Sequence, residues 1–326
     1  MSPTVMQLRQ GPSATRILGL GSYQPDRVVT NDELAQLMDT NDEWIRDRVG
    51  IIERRFADKT ESVADMGVEA GSKAVADAGL SAPDVDTVIV ATCTMPSPIP
   101  NAAAQIADRI GIKAVGAFDV NAACAGFCYA VGMASDLVRA GTANNVLVIG
   151  SEKLTDVVDP VDRSTAIIFA DGAGAAVVGP SDTPGIGPVA WGSAGDMVDT
   201  IYMREHKYIY QEGQSVFRWA TTQIAPIALH ALELAGLQPS DVDVLVPHQA
   251  NLRIVEAIAK RLRANGARED MAVADDIVYS GNTSSASIPM AIDHMRAKGT
   301  VRSGDVALLI GFGAGLSYAG QVVICP

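Results

Sequence analysis

Ala78-Gly-Leu-Ser-Ala-Pro-Asp-Val-Asp-Thr-Val-Ile-Val90 reappears as Ala235-Gly-Leu-Gln-Pro-Ser-Asp-Val-Asp-Val-Leu-Val246, with Ala, Gly, Leu, Asp, Val and Asp in register 157 positions apart. Each copy follows an Ala-rich helical pattern, over 70–77 and 227–234, and ends in a β-branched run. That order reads as a helix, a Gly-containing turn and a buried strand. A second pair, Val146-Leu-Val-Ile-Gly-Ser151 and Ala307-Leu-Leu-Ile-Gly-Phe312, supports a duplication. Strands alternating with Ala-rich helices argue for an α/β architecture whose sheets are buried on both faces. The expected core strands are 17–21, 87–91, 116–120, 146–150, 174–178, 242–246, 307–311 and 320–324. The expected units are an N-terminal half over 1–180 and a C-terminal half over 181–326. Residues 181–213, with Tyr202, Tyr208 and Tyr210, lack a matching copy; they read as an irregular connection, long enough to shape a pocket or an interface.

The chain has 326 residues, 48% of them hydrophobic, enough for one large domain or two fused ones with real cores, which excludes disorder. A formal net charge of −13 sets a nucleic-acid partner against the global field. Residues 1–16 show no apolar run before a small-residue cleavage site, and no apolar stretch reaches the roughly 18 residues of a membrane span. A soluble, cytoplasmic protein is expected. The four cysteines, Cys93, Cys124, Cys128 and Cys325, form no C-x-x-C pair, so neither zinc nor a redox couple is indicated. Cys93, Cys128 and Cys325 read as small buried hydrophobes.

Cys124 is different, because Asp119-Val-Asn-Ala-Ala-Cys-Ala-Gly-Phe127 runs from a predicted strand into a predicted helix. Unpaired N–H groups and the positive end of the helix dipole favour a thiolate there and lower the cysteine pKa. The small residues Ala122, Ala123, Ala125 and Gly126 leave room for a substrate chain, although a buried cysteine at a tight turn fits the segment equally well. Adding the repeat offset of 157 to 124 gives position 281, beside Asn282 in Tyr279-Ser-Gly-Asn-Thr-Ser-Ser-Ala-Ser287. Equivalent turns of two halves can converge on a pseudo-twofold axis, but Gly-Asn alone is commonly just a turn. His248, in Val246-Pro-His-Gln-Ala-Asn251, ends the second repeated strand, where open α/β sheets place ligands; a lone His there is more often structural. His206, His230 and His294 lie in irregular or helical surroundings and read as surface or helix-face residues. Gly311-Phe-Gly-Ala-Gly-Leu-Ser317 closes a strand and can offer backbone N–H groups to an oxyanion. Gly19-Leu-Gly21 is no dinucleotide fingerprint, since position 24 is Gln, and no nicotinamide cofactor is expected.

Together, Cys124 in Ala-Cys-Ala-Gly-Phe, His248 in His-Gln-Ala-Asn, Asn282 in Gly-Asn-Thr-Ser and the Gly-Phe-Gly-Ala-Gly tail resemble β-ketoacyl-acyl-carrier-protein synthase III over essentially the whole chain. The resemblance implies a thiolase-like five-layered α-β-α-β-α fold of two pseudo-symmetric halves and a homodimer. It implies no cofactor and no metal, only an acyl-CoA thioester and malonyl-acyl-carrier protein as substrates. By that likeness Cys124 takes the acyl group, CoA leaves, and malonyl-acyl-carrier protein enters the same tunnel. His248 and Asn282 then bind the malonyl thioester carbonyl and stabilise the enolate formed as carbon dioxide departs. A neutral imidazole and a carboxamide suit that task, since both donate hydrogen bonds and neither carries negative charge. The acylation oxyanion falls to the backbone N–H groups of Cys124 and Ala314. Relatives often have a third glycine at the latter position, a difference of little weight because only backbone donates.

The same likeness marks Thr40, Trp44, Arg48, Arg163 and Asn251 as CoA contacts. Trp44 and Arg48 are four apart and share a helical face; an indole can stack on adenine while Arg pairs with phosphate. Without the resemblance, core packing for Trp44 and a surface ion pair for Arg48 is the simpler reading. Gln249, Ala250, Asn251, Leu252, Arg253, Lys260 and Arg261 are implied to dock the acidic carrier protein by electrostatic steering, where a solvated helix face is the default reading. Ile99, Phe217 and Phe312 are the acyl-pocket candidates. Ile99 matches a residue that crosses the family's dimer interface, and an aliphatic side chain there leaves room for primers longer or more branched than acetyl.

Other thiolase-like enzymes differ in the third partner. Thiolases use a second cysteine in the late Gly-rich loop, and 311–317 has none. Chain-elongating synthases pair two histidines with the cysteine, whereas Asn282 stands here. Plant-type polyketide synthases share Cys, His and Asn but are usually longer. A starter-unit ketosynthase of a polyketide pathway is the alternative activity, and a non-catalytic acyl-binding partner the alternative of a different class.

Overall fold

Both copies of the repeated segment fold alike, and their shared residues explain why. The structure is a computed structural model that describes residues 6, 7 and 9–326. In the first copy the helix Val63–Asp77 starts on a capping box: Ser62 Oγ accepts from Asp65 N, and the Asp65 carboxylate accepts from Ser62 N. A 3-10 turn at Ala82–Asp84 then leads into the buried strand Thr87–Ala91. In the second copy Gly236, at φ +70°, closes the helix Gly213–Ala235, and the 3-10 turn Pro239–Asp241 leads into the strand Val244–Pro247. The repeated aspartates do the same work twice. Asp84 and Asp241 each accept from the backbone N–H three residues earlier, at 2.8 Å. Asp86 and Asp243 each accept from the backbone before or at the next core strand, Asn144 N and Val306 N, also at 2.8 Å.

Two five-stranded sheets result. In spatial order the first contains Ala14–Tyr23, Asp171–Ser181, Val146–Lys153, Thr87–Ala91 and Gly116–Val120. The second contains Ala190–Ser193, Ser317–Ile324, Val306–Gly313, Val244–Pro247 and Ala272–Val273. Both sheets run antiparallel, antiparallel, parallel, parallel across that order. A central apolar cluster joins Ile89, Val148 and Val178 of one sheet to Val246, Leu309 and Val323 of the other through Phe127, Val131, Ile288 and Ile292. The helices Gly126–Arg139 and Ser287–Ala297 therefore lie between the sheets. Val63–Asp77 and Ala102–Ile110 cover the outer face of the first, and Gly213–Ala235 and Leu252–Ala264 that of the second. This is the five-layered arrangement expected, with helices on both faces of each sheet.

The structure corrects three details. The strand read as 242–246 begins at Val244. The connection 181–213 is not wholly without a counterpart: Ala190–Ser193 takes the edge position that Ala14–Tyr23 holds in the first sheet. Beyond it come a 3-10 segment, Gly195–Thr200, and a two-stranded hairpin, Ile201–Arg204 with Tyr208–Gln211. Most important, the duplication has two offsets. Thr87 pairs Val146 where Val244 pairs Ala307, so the strands from Val146 and Ala307 are 161 apart, not 157. The residue equivalent to Cys124 is consequently Ser285, and the equivalent of Asn282 is Asn121. Backbone geometry agrees: Ala123–Ala125 and Ser284–Ala286 are both 3-10 turns that open with positive φ, +45° at Ala123 and +50° at Ser284.

Each turn lies against a glycine of the opposite sheet. A Cβ on Gly311 would stand 2.9 Å from Ala125 Cα, and one on Gly150 would stand 2.4 Å from Ser285 O. Backbone cannot yield at either contact without moving a turn. No helix among the described residues is long and apolar enough to cross a membrane. Gly150→Ala is therefore expected to destabilise the protein by about 1–3 kcal/mol, the usual range for overpacking. Urea unfolding measures this, and an unchanged midpoint would show that the approach of turn to sheet is not a constraint.

Candidate active site

Cys124, His248 and Asn282 line one cavity of about 810 Å3. They reach it from three separate segments. Cys124 sits in the turn at the head of the helix Gly126–Arg139. Positive φ at Ala123 is a strained choice for a residue with a Cβ and persists only where its surroundings hold it. Here Asn121 Oδ1 accepts from Ala123 N at 3.2 Å. Gly313 permits the second close approach, because a Cβ there would lie 2.8 Å from Cys124 N and 3.1 Å from its Sγ. The late Gly-rich loop, with Ala314 in the cavity wall, thereby lies against the thiol.

His248 follows the strand Val244–Pro247 and is 2% exposed. Its backbone N–H donates to Ile310 O at 2.7 Å, its ring Nδ1 is 2.8 Å from Ser287 Oγ, and Phe312 meets it edge to face at 5.3 Å. Burial pulls its pKa down to about 3, so the ring is neutral near pH 7. Asn282 is anchored on both sides of its peptide, donating to Ile168 O and accepting from Ala170 N, each at 2.9 Å. Its Oδ1 accepts from Ser284 N at 2.9 Å, which leaves the carboxamide N–H groups for the cavity. The thiol does not follow the expectation from its helix N-terminus. Burial pushes Cys124 up to about 12, with Glu152 acting in the same direction and the Ser284 hydroxyl against it. The resting group is a thiol, and Ser284 is placed to favour its thiolate.

Glu152 is the residue that reading the sequence missed. It is wholly buried and accepts from Thr92 Oγ1 (3.1 Å), Cys93 N (3.0 Å), Thr94 Oγ1 (2.6 Å), Ser284 Oγ (3.1 Å) and Ser285 Oγ (2.8 Å). Nothing in Gly-Ser-Glu-Lys marks a core carboxylate; only the folded chain supplies its donors from both halves. Cys93 also departs from expectation. It lines the cavity with its Sγ 3.5 Å from Glu152 Oε1, and burial together with that carboxylate holds its thiol well above the usual range. Cys128 and Cys325 are buried as read.

Around the cavity stand four exposed guanidiniums, Arg48, Arg163, Arg218 and Arg253, in a chain of net charge −13. Arg163 lies 4.7 Å over the Trp44 ring and Arg48 5.5 Å from it, while Arg253 lies 5.2 Å over Phe217. Phe217 is thus beside a rim cation. Arg218 was not singled out in the sequence. Thr40 is outside the cavity lining, and its Oγ1 is buried without a partner. Asn251 lines the cavity, but its side chain is spoken for: Oδ1 caps Arg253 N (2.9 Å) and Nδ2 donates to Arg48 O (3.0 Å). Gln249, expected on a docking surface, is buried, bonded to Pro247 O, Ala274 O and Ile277 N. Leu252 packs beside Ile45 and Val49, and Ala250 is half-buried in the cavity wall. Arg253, Lys260 and Arg261 are exposed on the helix Leu252–Ala264. Ile99 is 80% exposed and takes no part in the cavity of its own chain. The apolar wall instead comes from Leu154, Val157, Ile167, Phe169, Ile201 and Ile209, with Phe312 against His248.

Comparison with known proteins bears on what this site is. The family model described as 3-oxoacyl-[acyl-carrier-protein] synthase III matches residues 118–195, and that of its C-terminal part matches 232–325. A "Mycobacterial beta-ketoacyl-[acyl-carrier-protein] synthase III" from Mycobacterium avium is 49% identical, with 97% of each chain covered. The chain belongs to the β-ketoacyl-acyl-carrier-protein synthase III family. It is accordingly a condensing enzyme of the acyltransferase type with a thiolase-like fold. "Beta-ketoacyl-[acyl-carrier-protein] synthase III 4" of Streptomyces coelicolor is 50% identical over 96% of this chain and 99% of its own. Among solved structures, the priming β-ketosynthase from the R1128 polyketide biosynthetic pathway superposes with a TM-score of 0.94 at 42% identity, covering 99% of both chains.

For this synthase III chain, Glu152→Ala would remove from the interior the acceptor shared by four hydroxyls and one backbone N–H, of which Ser285 alone keeps a backbone carbonyl, Ala91 O. The expected loss is about 2–4 kcal/mol of folding stability, read by denaturant unfolding. Equal stability of variant and parent would mean that Glu152 is not the tie between the halves.

Proposed function

We propose that the protein performs the opening condensation of type II fatty-acid synthesis, joining an acyl group carried on Cys124 to a malonyl-acyl-carrier protein that loses carbon dioxide. The observation that carries this reading is a thiol, a neutral imidazole and a free carboxamide donor on one cavity, none of whose lining residues is acidic. In the first half-reaction Cys124 Sγ attacks the thioester carbonyl of acyl-CoA, its proton departs with the CoA thiol, and an acyl-cysteine remains. The N–H groups of Cys124 and Ala314 hold the tetrahedral oxyanion; one such donor is worth about 10²–10³ in rate. In the second, the malonyl C–C bond breaks to release carbon dioxide, and its electron pair passes into an enolate. His248 and Asn282 donate to the enolate oxygen. Its carbon then attacks the acyl carbonyl, the C–S bond to Cys124 breaks, and the departing thiolate takes a proton from solvent to restore the thiol.

Coenzyme A is best held at the arginine rim, its phosphates against Arg48, Arg163 and Arg218 and its adenine inserted between Trp44 and Arg163. The carrier protein docks on Arg253, Lys260 and Arg261, a basic face that would steer an acidic partner. A homodimer is supported by Gly116–Val120 at the edge of the first sheet and by the exposure of Ile99. A cytoplasmic location and the absence of a cofactor go with the same reading. A starter-unit ketosynthase of a polyketide pathway runs the same chemistry with another primer, and the likeness to the R1128 enzyme supports it. Relative rates with acetyl-, isobutyryl- and longer acyl-CoA, followed by complementation of each pathway, separate the two.

Cys124→Ala is expected to take up no acyl group from acyl-CoA, by intact-protein mass spectrometry, and to lose condensation. His248→Ala should still acylate but fail to decarboxylate the malonyl thioester; condensation at the parent rate would refute its assignment. Arg163→Ala should raise the KM for acyl-CoA, and rising ionic strength should raise the parent KM toward it. A KM indifferent to both would remove the arginine rim from CoA binding.

A further inference from the structure

We propose that Ser287 is a positioning residue that fixes the tautomer of His248, its hydroxyl donating to Nδ1 so that the ring proton stays on Nε2. The inference deepens the reading above and rests on it in one respect, the role of His248 as a donor. A neutral imidazole carries one proton. If that proton sat on Nδ1, the ring would present a lone pair to an oxygen gaining negative charge. Donation requires Nε2–H, and some neighbour must enforce it.

Ser287 is placed to do so. It is 2% exposed, opens the helix Ser287–Ala297, and is absent from the cavity lining, so it cannot act on substrate directly. Its Oγ is 2.8 Å from His248 Nδ1 and receives the Gln249 N–H at 3.3 Å. One lone pair of the hydroxyl is thus engaged, and among the described residues Nδ1 is the partner the hydroxyl proton meets. The duplicated fold supplies an internal control. By the offsets of 157 and 161, His248 corresponds to Ala91 and Ser287 to Gly126. Those two also touch, a Cβ on Gly126 lying 3.0 Å from Ala91 Cβ. Where the strand end carries no imidazole, the helix start carries no hydroxyl. A hydroxyl that served only to start the helix would be as useful at Gly126.

The test is spectroscopic and does not depend on turnover. The chain has four histidines. In protein labelled with 15N-histidine, two-bond proton–nitrogen correlations report which ring nitrogen is protonated, and His248→Gln assigns the signals by their loss. The parent is expected to show His248 as the Nε2–H form. Ser287→Ala should shift it toward Nδ1–H and lower the condensation kcat by about 10²-fold, the scale of one lost oxyanion donor, while acylation of Cys124 proceeds at the parent rate. Ser287→Thr, which keeps the hydroxyl, should restore both. An Nδ1–H form in the parent, or an unchanged Nε2–H form in Ser287→Ala, overturns the proposal whatever the rates; the parent spectrum suffices if the alanine variant does not fold. A tautomer that shifts while condensation is unaffected supports the positioning by Ser287 and refutes instead the donor role of His248.

Discussion

Backbone approach between halves is the constraint on which the rest of this structure depends. A tight turn from each half lies on a glycine of the other half's sheet, Ala125 over Gly311 and Ser285 over Gly150, at distances no Cβ would permit. Both turns begin with a positive φ at a residue that bears a side chain, at Ala123 and Ser284. Neither conformation is one a short peptide would hold. Each survives because the asparagine two residues earlier accepts the strained N–H, and because the opposing sheet leaves no room to relax. The halves are therefore locked through the same contacts that place Cys124 and Asn282 at the cavity, and neither half alone could form its lining.

Symmetry of backbone and asymmetry of side chains together account for a cavity lined by a thiol, an imidazole and a carboxamide at only one of the fold's two equivalent places. At the first turn stand Cys124, Gly313 below it, His248 and Asn282. At the equivalent second turn stand Ser285, Glu152, Ala91 and Asn121. Gly313 leaves a gap against the thiol, whereas the Glu152 carboxylate fills the corresponding space and binds the Ser285 hydroxyl. That hydroxyl also meets Ala91 O at 2.8 Å. It is consumed in hydrogen bonds and has no imidazole beside it. The second copy has become the support of the first, its carboxylate tying the Thr92–Thr94 segment of one half to the Ser284–Ser285 turn of the other.

Burial works on the site in two ways. It keeps His248 neutral, a form that can donate a hydrogen bond without bringing charge of its own, and it keeps Cys124 protonated. At the rim the balance reverses. Guanidiniums crowd the opening of an otherwise acidic molecule, a local positive field that salt would screen.

The sequence by itself determined the α/β class, the duplication and the core strands. Those follow from local patterns: a repeated Asp-Val-Asp whose side chains serve fixed backbone partners, and buried β-branched runs. Cys124, His248 and Asn282 each fitted a structural role when read locally, and it was the resemblance of their motifs to a known family that set them together, on what the folded chain makes one cavity. Even the second offset was written in the run from Val146 against that from Ala307, although the 157-residue register alone put the counterpart of Cys124 four positions early, at 281 instead of 285. Tertiary structure alone decided the rest. Cys93 turned toward the cavity, Gln249 turned inward, Asn251 became a cap, and Glu152 became a hub, because each outcome depends on partners from remote segments whose donors and acceptors must be satisfied in the interior. The raised thiol has the same origin. A helix N-terminus can be read from residue order, but the desolvation that outweighs it exists only once both sheets have closed around the sulfur.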